Sequence, residues 1–309
     1  MRVLVTGGTG YLGSAIVRAL AKAGHDPVVF SRHAAASEWT GARVDGDVRD
    51  TAAVARAAAG ADAICHAAAL VAIWRQDPSE FDAINVGGLQ SVLAAARTAH
   101  VPRIVYTSSF LALPPRDRPQ ALTANHYQRT KVIARDVARR AIADGLPLIA
   151  LYPGVIYGPG PVTEGNLIGR LLRDHLVGRL PGVIGADRPW SYAFVEDVAK
   201  AHVQAIAAGR LGAEYVVGGV NAPQMTVFEH LRRVRGTPLP RRIPYALATA
   251  AAALEELKAA VLRRPPTLTR GTVDIFRHDW SLDSGRAIAD LDYRITPLEE
   301  GLERTIAGL

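Results

Sequence analysis

A doubly wound α/β fold, with a parallel β-sheet covered by helices on both faces and a smaller C-terminal region completing it, is predicted by three features of this 309-residue chain. The first is its opening, MRVLVTGGTGYLGSAIVRAL, where an apolar strand at residues 3–5 runs into a glycine-rich turn and straight on into an amphipathic helix. The second is a regular alternation of short apolar segments with helical stretches, the mark of consecutive βαβ units and hence of parallel pairing. The third is size and composition: at 49 % hydrophobic the chain can bury a large core.

Taken in order, the first strand (2–5) and its turn supply what a pyrophosphate needs, namely backbone N–H groups with no Cβ in the way and the positive end of a helix. The glycines can be spaced as G-x-G-x-x-G (8, 10, 13) or G-x-x-G-x-x-G (7, 10, 13), and the strand–turn–helix context is the one a Rossmann dinucleotide site requires. Gly7, Gly10, Tyr11, Leu12 and Gly13 are the candidate cofactor contacts there. The second strand (27–30) ends in Ser31, Arg32 and His33, where the acidic grip on a ribose 2′-hydroxyl would otherwise stand. A guanidinium fork suits a 2′-phosphate, so NADP(H) is preferred and NAD(H) remains possible. A short third strand after Arg43 closes with GDVRD (46–50); Asp47 and Val48 either border the adenine or cap the helix that begins at Thr51. The fourth strand (63–65) carries the single cysteine, Cys65, as a core thiol; no internal disulfide is possible, which suits a reducing compartment. His66 either borders the cofactor with Ala67 and Ala68 or is a satisfied interior histidine.

A helix over 81–99 leads to the fifth strand (103–107), and Ser108 and Ser109 follow at its carboxyl end. There a hydroxyl can hydrogen-bond a substrate carbonyl or the oxyanion formed from it, and Ser109 is the candidate. Eighteen residues on, HYQRTK opens a helix running to residue 144. It holds the only Tyr-x-x-x-Lys pair among the nine tyrosines. Tyr127 and Lys131 project from one face. An ammonium there lowers a phenol pKa from its reference near 10 and holds ribose hydroxyls, making Tyr127 a proton donor or acceptor. The sixth strand (148–152) and one more at 215–217 complete the alternation.

After Tyr157 the pattern loosens into GPGPVTEGN, GRLPGVIG and RRPPTLTRG with apolar helices between them. The division expected is a dinucleotide-binding domain over 1–158, completed by 192–218, and a substrate-binding region over 159–191 and 219–309. Residues 163–190 hold Arg170, Arg173, Arg179 and Arg188 beside Leu167, Leu171, Leu172 and Trp190, so a diphosphate cradle and an apolar pocket are both open. The net charge of +7 is spread, with no aromatic-interleaved basic patch, which argues against nucleic acid. Met1 leads directly into the first strand, so no signal peptide is read and a cytoplasmic enzyme is expected. The helix over 245–262 is too short and too charged to span a bilayer, although loose membrane contact stays open. No metal site is indicated.

With TGGTGYLG, GDVRD, CHAAAL, Asn85, YTSS, YQRTK, YPGVIYGPG and FVEDVAKAH in this order and spacing, essentially the whole chain resembles the extended short-chain dehydrogenase/reductases of the epimerase/dehydratase superfamily. The stretch GRLPGVIGADRPWSYAFVEDVAKAH, with RHDWSLDSGRAIADLDYRITPLEEGL near the end, is closer to the dihydroflavonol-reductase-like and farnesol-dehydrogenase-like branch. The resemblance implies catalytic Ser109, Tyr127 and Lys131, a structural Asn85, a nicotinamide-lining turn from Pro153 to Val155, and a homodimer built on the helices at 81–99 and 127–144. Two departures stand out: some farnesol dehydrogenases use NAD, against Arg32, and the short Ser-to-Tyr interval implies a trimmed loop beside the substrate. Three functions compete. They are an NADP(H)-dependent oxidoreductase interconverting an apolar alcohol and its carbonyl, a nucleotide-sugar epimerase or dehydratase, and a non-catalytic NADP-binding sensor, which would have no need of the Ser, Tyr and Lys set.

Overall fold

The computed structural model describes all of residues 1–309. In the first half β1 (Arg2–Thr6), α1 (Tyr11–Lys22), β2 (Asp26–Ser31), β3 (Arg43–Asp45), α2 (Thr51–Ala58), β4 (Ala63–His66), α3 (Ser79–Asp82), α4 (Gly88–Thr98), β5 (Ile104–Thr107), α5 (His126–Ala143) and β6 (Leu148–Pro153) alternate strand with helix. There follow β7 (Val155–Tyr157), α6 (Leu167–Leu176), β8 (Val183–Ile184), β9 (Pro189–Phe194), α7 (Val195–Ala208) and β10 (Glu214–Val217). The chain closes with β11 (Val220–Pro223), α8 (Met225–Arg235), β12 (Arg242–Ile243), α9 (Tyr245–Leu262), α10 (Arg270–Ile275), α11 (Gly285–Leu291) and α12 (Leu298–Ala307).

Seven strands make one sheet in the order β10-β6-β5-β4-β1-β2-β3, every neighbouring pair parallel. Because successive strand residues point to opposite faces, each strand feeds two cores. Val3, Val5, Ala63, Cys65, Ile149 and Leu151 pack with Ile16 and Leu20 of α1 and Val198 and Ile206 of α7. Leu4, Ile64, Leu148 and Ala150 pack on the other side with Val54 of α2, Leu89 and Val92 of α4, and Ala134 and Ala138 of α5. Strand order reverses between β1 and β4: the chain builds outward to β3, returns, and builds outward again to β10. The carboxyl ends of the strands at such a reversal open a crevice where a ligand lies.

The remaining chain forms a three-stranded sheet, β11-β9-β7, and a two-stranded one, β12-β8. Both surround a third core that includes Tyr157, Tyr192, Phe194, Phe228 and Leu302. These five short strands do not stand out in the sequence, because they are two to six residues long and interrupted by residues such as Pro189 and Pro223. The helix expected over 81–99 is also not continuous. A π-helical turn, Ala83–Gly87, separates α3 from α4. It places Asn85 in the interior, where Oδ1 accepts from the Leu70 N–H (2.7 Å) and Nδ2 donates to the Leu70 carbonyl (3.2 Å) and to Thr130 Oγ1 (3.0 Å). At Thr51 the cap is Asp50, whose carboxylate accepts from the N–H groups of Ala52 and Ala53. The capping role considered for Asp47 and Val48 is therefore corrected. Cys65 is fully buried, and burial pushes its thiol up to about 12. No helix is long and apolar enough to cross a membrane.

Candidate active site

At the end of β1 the chain turns at Gly7 with φ +73°, in the left-handed region where a side chain is strained. A Cβ there would also lie 2.7 Å from Ala68 Cα beyond β4, and a Cβ on Gly13 would lie 2.0 Å from the Gly7 carbonyl oxygen. Both glycines are steric requirements of a turn folded against its own helix and the next strand. Helix α1 begins at Gly10 with no side-chain cap, so its first N–H groups and its positive end remain open to an anion. The Tyr11 hydroxyl is engaged elsewhere: it donates to the Gly158 carbonyl at 3.0 Å. Tyr11 thus faces the crevice through its backbone, as does the half-buried Leu12.

The tip of β2 carries two unsatisfied groups. Ser31 Oγ is buried with no hydrogen-bond partner, and the exposed Arg32 has no carboxylate within ion-pair distance. Asp47 is gripped by Arg49, with Nη2–Oδ2 at 2.6 Å, and this pairing holds its carboxyl below the usual range, with a smaller contribution from the charge of Arg32. Val48 is buried, and its side chain leaves no room for a Cβ on Gly88.

Helix α5 starts from Asn125, whose side chain accepts from the Gln128 N–H. That cap sets Tyr127 and Lys131 on one face, the ammonium 5.7 Å from the centre of the Tyr127 ring. Ser109 is buried just beyond the end of β5 and close enough to the phenol to oppose the rise in its pKa. Its Oγ accepts from the Leu111 N–H at 3.2 Å, which leaves the hydroxyl proton free to donate. Desolvation raises the Tyr127 phenol to about 12, the Ser109 hydrogen bond opposing. The expectation of a lowered phenol pKa is corrected: loss of hydration raises it. Lys131 is lowered by burial to about 8 and has no acidic partner, so its ammonium lacks hydrogen-bond acceptors of its own. His66 resolves as an interior residue. It is fully buried, bonded through Nδ1 to Thr6 Oγ1 at 2.7 Å, stacked on Tyr106, and held neutral by a pKa lowered to about 3.

Pro153 and Val155 are buried at the end of β6 and the start of β7. Between them a Cβ on Gly154 would meet the Ser191 carbonyl oxygen at 2.4 Å, so the turn lies tight on β9. The third core holds an aromatic cluster that local sequence did not reveal. Phe110 meets Trp280 edge to face at 5.2 Å, Trp190 meets Phe276 at 4.7 Å, and Tyr127 packs against this same cluster. The loop before α5 is fastened to this C-terminal segment: Arg116 N–H donates to the Asp279 carbonyl, and His278 Nδ1 lies 3.1 Å from the Asp117 carboxylate. Leu172 and Trp190 are core residues, and Leu167 and Leu171 pack partly buried beside them. His202, another residue the sequence left without a role, donates through Nδ1 to the Val198 carbonyl and so accepts from Thr107 through Nε2, bracing the end of β5.

The sequence matches the NAD dependent epimerase/dehydratase family over residues 3–218, from the first strand of the central sheet through its last. The chain belongs to that family. As a member of it, the chain is an NAD(P)-dependent oxidoreductase. It is 31 % identical to sterol demethylase protein B of Methylococcus capsulatus, covering 94 % of this chain and 93 % of that one. It is 30 % identical to the 2-alkyl-3-oxoalkanoate reductase of Stenotrophomonas maltophilia, covering 100 % and 99 %. Among solved structures, the dTDP-glucose 4,6-dehydratase of Streptomyces venezuelae, which has NAD bound, has the same fold with TM-score 0.79 at 24 % identity, covering 100 % and 96 %. The nicotinamide cofactor that the family implies fits the residues present. The glycine cradle admits no side chain, the Ser31 hydroxyl lacks a partner, and the Lys131 ammonium lacks an acceptor.

Proposed function

We propose that this epimerase/dehydratase family member interconverts an apolar alcohol and its carbonyl compound with NADP(H). The observation that carries this is that Tyr127 packs against the apolar core containing Phe110, Trp190 and Trp280, with Phe276 packed against that same core. Of the four candidates for a diphosphate cradle, Arg173, Arg179 and Arg188 are by contrast exposed and Arg170 is half-buried. The relatives' names, sterol demethylase protein B and 2-alkyl-3-oxoalkanoate reductase, support a bulky apolar substrate.

In this assignment the backbone of Gly7, Gly10, Tyr11, Leu12 and Gly13 holds the pyrophosphate, and Ser31 and Arg32 hold a 2′-phosphate. Asp47 and Val48 border the adenine; Ala67, Ala68, Pro153 and Val155 line the crevice toward the nicotinamide. When bound, the nicotinamide supplies or accepts the hydride. Ser109 donates its free proton to the carbonyl oxygen and orients it. Tyr127, a protonated phenol at neutral pH, gives that oxygen a proton in the reduction direction. Lys131 donates to ribose hydroxyls, and its charge favours the phenolate as it forms. In oxidation each role reverses.

Residues 159–191 and 219–309 form the substrate-binding region in this assignment, two copies pair through α4 and α5, and the enzyme works in the cytoplasm. The test is an assay with NADPH and a panel of medium-chain, terpenoid-like and 2-alkyl-3-oxo carbonyl compounds. Cofactor consumption with one of these is the expected result. Epimerised UDP-sugar with no net change in cofactor would assign the nucleotide-sugar chemistry instead.

A further inference from the structure

Five of the ten exposed large hydrophobic side chains lie on one helix, α9. Leu247, Leu254, Leu257, Val261 and Leu262 are 52–72 % exposed, whereas Ala248 and Ala252 on the same helix pack inward with Ile184 and Val273, and Ala259 is buried as well. The spacing 247, 254, 257, 261 follows helical periodicity, so these side chains form a single outward stripe. A continuous apolar stripe on a surface marks a contact with something less polar than water.

Charge around the stripe indicates what that contact is. Both carboxylates of α9 are engaged, Glu255 with Lys258 and Thr267 and Glu256 with Arg270, and nearby Asp187 binds Arg242. Arg241 ahead of the helix and Arg263 and Arg264 at its end are exposed with no carboxylate partner, in a chain of net charge +7. An apolar stripe bracketed by uncompensated guanidinium groups is complementary to an anionic bilayer surface, with leucines toward the acyl boundary and arginines at the phosphates. We propose that α9 is an interfacial helix that seats this protein on anionic membranes. Glu255, Glu256 and Lys258 interrupt the helix, so it lies on the bilayer and does not cross it. Its position gives the contact a use. Arg270, bound by Glu256, begins α10, and Gly271 of α10 lies against the Ala124 carbonyl beside the Asn125 cap of α5. The docking face is therefore one helix removed from Tyr127.

The test uses the full chain and vesicles, and its readout does not depend on the reaction assigned above. The protein should cosediment with phosphatidylglycerol-containing vesicles at low salt and much less with pure phosphatidylcholine. Leu254→Glu/Leu257→Glu should reduce binding at least tenfold, and Arg263→Glu/Arg264→Glu should weaken it and flatten its salt dependence. Both variants should bind NADPH as the parent does, reporting an intact fold. With Cys65 buried, Leu254→Cys can carry a polarity-sensitive fluorophore, whose emission should shift to the blue on anionic vesicles. A parent that ignores such vesicles, or a Leu254→Glu/Leu257→Glu variant that binds them equally, would overturn the proposal. So would efficient Leu254→Cys cross-linking between two copies in the absence of lipid, because a second copy would then be what covers the stripe.

Discussion

Lys131 is a buried lysine with no carboxylate beside it, at a cost to the fold. Its pKa of about 8 lies below the 10.5 of the free side chain. By linkage the unfolded chain binds more protons between those values, so the penalty is complete below about pH 8 and is relieved as pH rises to about 10.5. Lys131→Met should therefore stabilise the cofactor-free protein at pH 7, by on the order of 1–3 kcal/mol, while lowering turnover. The advantage should shrink through that alkaline window, as thermal melts at stepped pH would show. Tyr127→Phe should lower kcat by roughly 10²-fold or more with little change in cofactor affinity, as expected when a general acid is removed; turnover within about threefold of the parent, in the same spirit, would refute its role. Arg32→Ala should weaken NADP(H) by about 1.5–3 kcal/mol and leave NAD(H) nearly unchanged, read by nicotinamide fluorescence titration. Equal losses would mean the tip of β2 does not face a 2′-phosphate. The pairing of Tyr127 with Lys131 was legible because helical geometry alone fixes it. The interior role of His66 was not, since it depends on which side chains from β1 and β5 surround the ring.

A π-helical turn between α3 and α4 cannot be read from a segment whose apolar pattern is continuous from 81 to 99. It exists because Asn85 satisfies both backbone groups of Leu70 and the Thr130 hydroxyl at once. This ties α5, and so the register of Tyr127, to the loop after β4. Asn85→Ala removes the partner of both half-buried Leu70 backbone groups and one of the two bonds of the Thr130 hydroxyl, at roughly 1–3 kcal/mol for each group left unsatisfied. Denaturant unfolding should show a loss of at least about 2 kcal/mol on that scale, and activity should fall further than stability. The strands of the central sheet were visible because their alternation is dictated by two buried faces. Strands β7 to β9 were hidden because their partners lie far away in sequence and glycine or proline breaks the pattern. The aromatic cluster was hidden for the same reason: Phe110 and Trp280 meet only after the chain has crossed the whole molecule.

For the molecule as a whole, a shallow groove between α4 and α5 is lined by Leu93, Ala94, Val137 and Ala141, with Arg97, Arg140 and Asp144 among them. A second copy seated there would build a four-helix interface. Light scattering at micromolar concentration should report a dimer, and the exposed Ala94→Arg should convert it to a monomer that still binds cofactor. A monomeric parent would remove the interface from consideration. The central sheet has a consequence in time as well as in space. Its edge strand β10 pairs only with β6, yet the whole span from β7 through α7 is made between them. At about 5–20 residues per second, synthesis of that span takes roughly 3–12 s. Throughout it the outer edge of β6 stands unpaired beside a half-built hydrophobic layer, open to stray strand pairing. For those seconds the nascent chain is open to aggregation, and slower translation lengthens the exposure.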